Sequence, residues 1–266
     1  MPVLYSYHKE QQEGYSVKYI LIFIMVLASN AFAERDFDRT MVAAKQGNDW
    51  AQNNLGVMYD RGIGVQKNHA EAVKWFRKAA DQGLAAAQNN LGNKYSNGQG
   101  VPENESEAVK WYRKAADQEY AKAQFNLGLM YGNGYGVPEN DAEAVKWYRK
   151  AADQEHAKAQ FNLGLMYANG DGVPENDAEA VKWYRKAADQ GLVGAQSNLG
   201  LMYATGAGVP ENSIRAYVWW SMAKTQGHTN AAGNLDILKP MMTKQQISQA
   251  QALAAKCYES NYKDCD

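Results

Sequence analysis

The chain has 266 residues, 45% of them hydrophobic and 21% charged, and its formal net charge at pH 7 is -1. This composition is that of a folded globular protein and excludes a disordered chain. No run of five or more Lys and Arg residues occurs, so the basic surface that nucleic acids require is not expected.

The first element in the chain is an apolar run over Ile20–Ala28, which follows Lys18 and is succeeded by small residues up to Ala33. This arrangement is typical of a secretory signal peptide over residues 1–33, cleaved after Ala33. The run is shorter than the roughly 20 residues that a membrane-spanning helix needs, so no integral span is expected after processing. The mature chain is therefore predicted to begin at Glu34 and to be periplasmic or secreted.

A repeat of 36 residues fills most of the remaining chain. Leu-Gly and Trp each recur five times at this spacing, with Leu at 55, 91, 127, 163 and 199 and Trp at 75, 111, 147, 183 and 219. Two successive units, 119–154 and 155–190, differ only at Tyr120/His156, Gly132/Ala168 and Tyr135/Asp171. The predicted divisions are a half-repeat over 34–46, repeats over 47–82, 83–118, 119–154, 155–190 and 191–226, a half-repeat over 227–238, and a C-terminal capping helix and tail over 239–266.

Each unit is predicted to form two amphipathic helices. In the third unit, small and apolar residues are spaced by three and four positions first from Ala123 to Tyr131 and then from Ala144 to Ala152. Between these stretches, Gly134 can end the first helix, and Asn140 with Glu143 resembles a capping box that starts the second. One helix pair cannot bury its apolar face alone, so neighbouring units must stack into an all-α fold.

The C-terminal tail is predicted to carry one more helix, over Thr243–Glu259, with Thr243 as its N-cap. The two cysteines of the chain, Cys257 and Cys265, lie at the end of this helix and just beyond it. In an exported protein a disulfide between them is more favourable than two free thiols. A metal or redox pair is the alternative, but no further ligands accompany the cysteines.

The repeated motifs carry a family resemblance. Ala-x-x-x-Leu-Gly-x-x-Tyr, then Gly-x-Gly-Val, then Ala-Val-x-Trp-Tyr-x-Lys-Ala-Ala is similar to the Sel-1-like repeat, a relative of the tetratricopeptide repeat, over about residues 36–235. The resemblance implies a right-handed α-solenoid whose concave side, lined mainly by the first helix of each pair, holds a partner protein. We expect a monomer that binds a protein or peptide.

An asparagine recurs just before the Leu of each unit and makes the first candidate site, at Asn54, Asn90, Asn126, Asn162, Asn198 and Asn234. Side-chain amides both donate and accept, so a row of them could bind the backbone of an extended peptide. The alternative is that each Asn satisfies backbone groups of the adjoining repeat, and its persistence in every unit favours this structural role. Lys122 and Lys158 on the same helices could supply charge for an acidic or C-terminal peptide, or could be ordinary surface lysines.

Phe125 and Phe161 are further candidates for the partner-binding face, because they occupy a position that varies among the units. Variable positions are better specificity candidates than fixed ones, which stacking requires. The two rings could form an exposed aromatic patch. Burial between repeats is the alternative.

The sequence offers little for catalysis. His69, His156 and His228 show no metal-binding spacing, so no metal or cofactor is expected. Ser221 and Lys224 fit the Ser-x-x-Lys of penicillin-binding enzymes, and some cysteine-rich relatives are described as penicillin-binding, which makes such an enzyme the alternative function. However, neither Lys-Thr-Gly nor Ser-Asp-Asn completes the site, and the paired cysteines of those relatives are missing here. We therefore expect a non-enzymatic adaptor of the cell envelope or a secreted one.

Overall fold

The structure, a computed structural model, describes residues 33–265. The predicted signal peptide lies outside the described residues except for Ala33. Within the described part of the chain the fold is built from helices, without a β-strand. The chain divides into two compact units, one ending at Asn104 and one beginning at Glu105, which are taken in turn.

The first unit contains four helices. They are α1 (33–45), α2 (Asp49–Arg61), α3 (His69–Asp81) and α4 (Ala85–Ser96). As the sequence predicts, α1 takes the place of the second helix of an incomplete repeat, and α2 pairs with α3. Ala44 of α1 packs with Leu55 of α2 and Trp75 of α3 in one buried cluster.

The second unit continues the pattern of consecutive helix pairs and closes it with the predicted capping helix. Its helices are α5 (Glu105–Ala116), α6 (Ala121–Asn133), α7 (Asp141–Asp153), α8 (Ala157–Asn169), α9 (Asp177–Ala188), α10 (Val193–Thr205), α11 (Ser213–Thr225), α12 (Thr229–Leu238), a 3-10 turn (Lys239–Met241) and α13 (Lys244–Glu259). We call α2, α4, α6, α8, α10 and α12 the first helices of their repeats. The all-α solenoid of stacked helix pairs is thus the fold of this chain.

Capping residues set the helix ends. Gly134 ends α6 in the left-handed conformation with φ 70°, and the Asn140 side chain accepts a 3.0 Å hydrogen bond from the Glu143 N–H at the start of α7. The Glu143 carboxylate pairs with Lys146 at 3.2 Å, so Asn140 caps the helix without a reciprocal bond from Glu143. A complete capping box occurs instead at the predicted N-cap Thr243.

Gly56, Gly128, Gly164 and Gly200 of the Leu-Gly pairs allow the two helices of a repeat to pack closely. A Cβ atom built at Gly128 would lie 2.6 Å from a ring carbon of Tyr148. Since real Cβ atoms do not approach a ring carbon so closely, only glycine lets the tyrosine ring lie flat against α6. This is the close approach of helix backbones that the small residues predict.

Buried glutamines connect successive repeats, a feature that the sequence analysis missed. Gln160 on α8 is 2% exposed, and its Nε2 donates a 3.1 Å hydrogen bond to the Ala152 carbonyl near the end of α7. Gln190 in turn donates from its Nε2 to the Gln160 Oε1 at 2.8 Å. Equivalent bonds to a preceding helix end are made by Gln52, Gln88, Gln124 and Gln196. Their spacing of 36 residues was the available signal.

A disulfide fixes the C-terminal segment. Cys257 at the end of α13 is bonded to Cys265, with the two Cα atoms 4.5 Å apart, and both residues are buried. The intervening segment brings Tyr262 against Gly191, where a Cβ atom would lie 2.9 Å from its ring. The tail is therefore folded back onto the repeat before it.

Candidate partner-binding surface

The first helices of the second unit share one exposed face. Positions spaced by three, one and three residues lie on the same side of a helix, as in Lys122, Phe125, Asn126 and Leu129 of α6. The same positions on α8 are Lys158, Phe161, Asn162 and Leu165. On α10 they are Gly194, Ser197, Asn198 and Leu201, and on α12 they are Asn230, Gly233, Asn234 and Ile237. We call these sixteen residues the first-helix surface.

Two asparagines of this surface, Asn162 and Asn198, are hydrogen-bonded to the preceding repeat. Asn162 is hydrogen-bonded to the hydroxyl of Tyr148, and Asn198 to that of Tyr184. Burial raises the pKa of both tyrosines above the ordinary value, and the asparagine hydrogen bonds counteract part of this rise. In the first unit, Asn90 Nδ2 donates to Asn53 Oδ1 at 3.0 Å.

Asn90, Asn162 and Asn198 therefore contact the preceding repeat, through side chains and not through the backbone groups that the alternative interpretation expects. Asn126 occupies the equivalent place on α6 and is half-buried like Asn162. The amides nevertheless remain partly exposed on the first-helix surface, so a partner can still reach them.

Both candidate phenylalanines are half-buried between repeats. Phe125 stacks on the ring of His156, with centroids 4.8 Å apart and planes 28° apart, and lies 6.0 Å from the ring of Tyr148. Phe161 has its ring centroid 5.9 Å from that of Tyr184. Each ring is therefore fixed by its neighbours while presenting one side to solvent.

The two candidate lysines flank His156. Its Nδ1 accepts a 3.2 Å hydrogen bond from the Ala159 N–H, which makes His156 the N-cap of α8. Lys122 and Lys158 are exposed, and burial together with their positive charges lowers the pKa of His156. The helices α6, α8 and α10 carry no Asp or Glu, although Glu119 and Glu155 lie just before α6 and α8.

The lowered pKa of His156 predicts a loss of stability in acid. Above the unfolded-state pKa of about 6.5, His156 is neutral in both states; as the pH falls below it, the unfolded chain binds the proton first and the free energy of unfolding decreases. The variant His156→Tyr carries the residue that the preceding repeat has at the equivalent position, Tyr120. We expect this variant to lose less free energy of unfolding than the unaltered chain when the pH is lowered from about 7.5 to about 5. Urea unfolding of both proteins at the two pH values measures this. An identical pH dependence would contradict it, because all other histidines are unchanged.

An open groove of about 720 Å³ lies on the first-helix surface across α8, α10 and α12. Its apolar part consists of Phe161, Leu201 and Ile237, of which Leu201 is 48% and Ile237 is 70% exposed. Its other lining residues are Gly194, Ser197, Asn198, His228, Thr229, Asn230, Gly233 and Asn234. Three candidate residues, Phe161, Asn198 and Asn234, line this groove. The sequence analysis did not identify Leu201 and Ile237, although they recur at the position of Leu129 and Leu165.

The sequence analysis also missed a partly buried polar group in the first unit, formed by Lys94, Asp60 and His69. Lys94 on α4 is 6% exposed; it pairs with Asp60 and donates to Gln99 Oε1 at 2.8 Å. The Asp60 carboxylate also contacts His69 Nδ1 at 2.6 Å. Although burial opposes it, hydrogen bonding to Lys94 and His69 holds the pKa of Asp60 below its ordinary value. Lys94 occupies the place of Met130 in the third repeat, so this contact distinguishes the first unit.

The residues considered for catalysis remain apart from any recognisable site. Ser221 and Lys224 lie on α11, and among residues 33–265 no hydrogen bond joins them. Over the same range, no group of three or more His, Cys, Asp or Glu side chains is placed to hold a metal ion. None of the described helices has the length and apolar character needed to cross a membrane.

Comparison with known proteins gives consistent matches. A family model described as Sel1 repeat matches residues 51–84, 85–120, 121–156, 157–192 and 193–228. The crystal structure of a Sel1 repeat protein from Oxalobacter formigenes is 39% identical with a TM-score of 0.70, covering 79% of this chain and 86% of that one. A protective antigen of uropathogenic Escherichia coli with an SLR fold is 29% identical with a TM-score of 0.44, covering 85% and 64% of the two chains.

A curated relative also matches, over a short stretch. It is a sel1-like repeat-containing protein of Acanthamoeba polyphaga mimivirus, 49% identical over 43 residues. This match covers 16% of the present chain and 7% of the viral protein. It therefore concerns little more than one repeat.

Proposed function

Because the chain belongs to the Sel1 repeat family, whose members generally serve as protein-interaction scaffolds, we propose that it is a non-enzymatic adaptor that binds a protein or peptide on its first-helix surface. The observation that carries this proposal is the open groove across α8, α10 and α12. It combines exposed apolar side chains with the amides of Asn198, Asn230 and Asn234.

Such a groove suits an extended or helical segment of a partner. Leu201 and Ile237 offer apolar area that a partner could remove from water, and the amides can pair with its backbone or polar side chains. The ring of Phe161 packs against the ring of Tyr184. The buried Gln160 and Gln196 hydrogen-bond α8 and α10 to the helices that precede them. A surface already ordered before binding avoids part of the entropic cost of association.

The test is affinity capture with the tagged chain from envelope extract and culture medium, followed by titration of the captured partner. We expect the double variant Leu201→Asp/Ile237→Asp to lose the partner at least tenfold, since charges would enter the apolar part of the groove. Tyr258→Asp is the matched control, because Tyr258 is equally exposed at 61% but lies on α13. Retention of the partner by the double variant would overturn the proposed surface.

As part of the same proposal, the adaptor is exported to the periplasm or beyond. The signal-like segment before Glu34 supports this, and so does the Cys257–Cys265 disulfide, a bond that persists in oxidising compartments. The intact mass of the protein isolated from envelope or medium is expected to match residues 34–266 with two hydrogens fewer than the reduced chain. A mass that includes residues 1–33, or one that reveals free thiols, would contradict export as proposed.

A further inference from the structure

The near-identical third and fourth repeats differ at three positions, and two of the altered residues, Gly132 and Asp171, line one cavity where these repeats join. At these positions the third repeat has Tyr120, Gly132 and Tyr135. The fourth repeat has, in the same order, His156, Ala168 and Asp171. His156 contacts Phe125, as described above. Gly132 and Asp171 line the same cavity, of about 290 Å³.

The cavity has an acidic rim and apolar walls. Asp141 at the start of α7 and Asp171 in the loop after α8 supply carboxylates, and the Tyr148 hydroxyl and the Asn162 amide lie beside them. The remaining lining residues are Leu129, Gly132, Asn133, Leu165, Met166 and Asn169. No basic side chain is among the lining residues.

One close approach and one small residue shape this cavity. Gly172 brings the loop against α7 so tightly that a Cβ atom on it would lie 2.4 Å from the Asp141 carbonyl carbon, which places Asp171 near Asp141. A Cβ atom at Gly132 would lie 3.7 Å from the Tyr148 hydroxyl, so the alanine of the next copy would fill space beside that oxygen. Asp171 accepts a hydrogen bond from Asn169 at 3.1 Å, which orients its carboxylate.

We propose that this cavity binds one basic side chain, in the first place an arginine, of the protein that docks on the first-helix surface. Two carboxylates without a basic residue in the lining complement a cation, and a planar guanidinium has several N–H donors that can pair with carboxylate oxygens. Leu129, Leu165 and Met166 provide apolar contact for the aliphatic stem. The volume lies at the lower limit of small-ligand pockets, about 300 Å³, and so suits a single side chain.

The inference rests on the proposed function, because the cation is supplied by the same partner, but its test needs no identified partner. The probe is Nα-acetyl-arginine N-methylamide, titrated into the ¹⁵N-labelled chain while backbone amide resonances are followed. Nα-acetyl-citrulline N-methylamide, which has nearly the same shape but no charge, is the control probe. We expect the arginine probe alone to shift the signals of Gly132, Asn162 and Asn169, and added salt to weaken the effect.

Two variants decide whether the cavity is responsible. Asp171→Asn keeps the shape of the side chain and is expected to weaken binding of the arginine probe about tenfold. The triple variant Ala168→Gly/Thr205→Asn/Ala207→Asp rebuilds the same lining one repeat further on, where Asp177, Tyr184 and Asn198 already stand at the equivalent positions. We expect it to gain a second set of shifts, around Asn198.

The outcomes separate this inference from the proposed function. No response to the arginine probe, an equal response to citrulline, or unchanged binding by Asp171→Asn would overturn the basic-side-chain site, even if a captured partner still depends on Leu201 and Ile237. Conversely, arginine-specific shifts together with a partner that ignores the Leu201→Asp/Ile237→Asp change would overturn the docking surface and leave the cavity as a separate cation site.

Discussion

Replacing Gly172 by alanine is expected to destabilise the second unit strongly. Gly172 has φ +67°, and a Cβ atom there would lie 2.4 Å from the carbonyl carbon of Asp141 and 2.7 Å from the Ala142 nitrogen. The left-handed conformation alone costs alanine about 1–2 kcal/mol. The clash is with backbone at the start of α7, which cannot move without separating the two repeats, so we expect a total loss of about 3 kcal/mol or more.

Gly170 provides the matched control two residues earlier. Its φ is +77°, but the nearest atoms to an added Cβ, on Glu175, are 3.4 Å away, which is an ordinary contact. Gly170→Ala should therefore lose only the conformational cost, about 1–2 kcal/mol. Urea unfolding followed by circular dichroism compares the two variants. Equal losses would show that the approach of Gly172 to α7 contributes nothing.

This contrast shows which features the sequence could predict. The capping roles of Gly134 and Asn140 follow from residues within one repeat, because helix ends need particular local conformations and side-chain acceptors. The second glycine of the Gly-x-Gly-Val motif lies in the loop between the two helices of a repeat. Its further requirement, the contact between Gly172 and Asp141, arises only when two repeats stack and is not contained in the pattern of either one.

The candidate surface was predictable to a similar extent. The sequence predicts that Asn162 and Phe161 lie on the first helix of their repeat, and both lie on α8. Helical periodicity then determines which side of that helix each residue occupies. It could not determine that Asn162 is bonded to Tyr148, because a side chain 14 positions away in sequence becomes a neighbour only after stacking. The apolar position Leu201 was overlooked because apolar residues at helical spacing ordinarily indicate core, and its exposure depends on which face the next repeat covers.

The second large effect is expected for Gln160→Leu. The change preserves the approximate size of the side chain but removes the donor to the Ala152 carbonyl and the acceptor for Gln190. The Ala152 carbonyl keeps the 3.0 Å hydrogen bond that it accepts from the Glu155 N–H, so the change removes buried hydrogen bonds without leaving this carbonyl unsatisfied. A hydrogen bond contributes about 0.5–1.5 kcal/mol to stability, and we expect a decrease in the free energy of unfolding within this range.

Gln249→Leu on α13 is the control, since Gln249 is exposed and the same chemical change there should stay within about 0.5 kcal/mol. A double-mutant cycle with Gln190→Ala then isolates the bond between the two glutamines. If Gln160→Leu were as stable as the unaltered chain, apolar packing alone would join the repeats and the recurrence of glutamine every 36 residues would need another cause. A loss confined to Gln160 would instead identify these amides as the contacts that fix one repeat against the next, and hence fix the spacing of the groove residues that a partner meets.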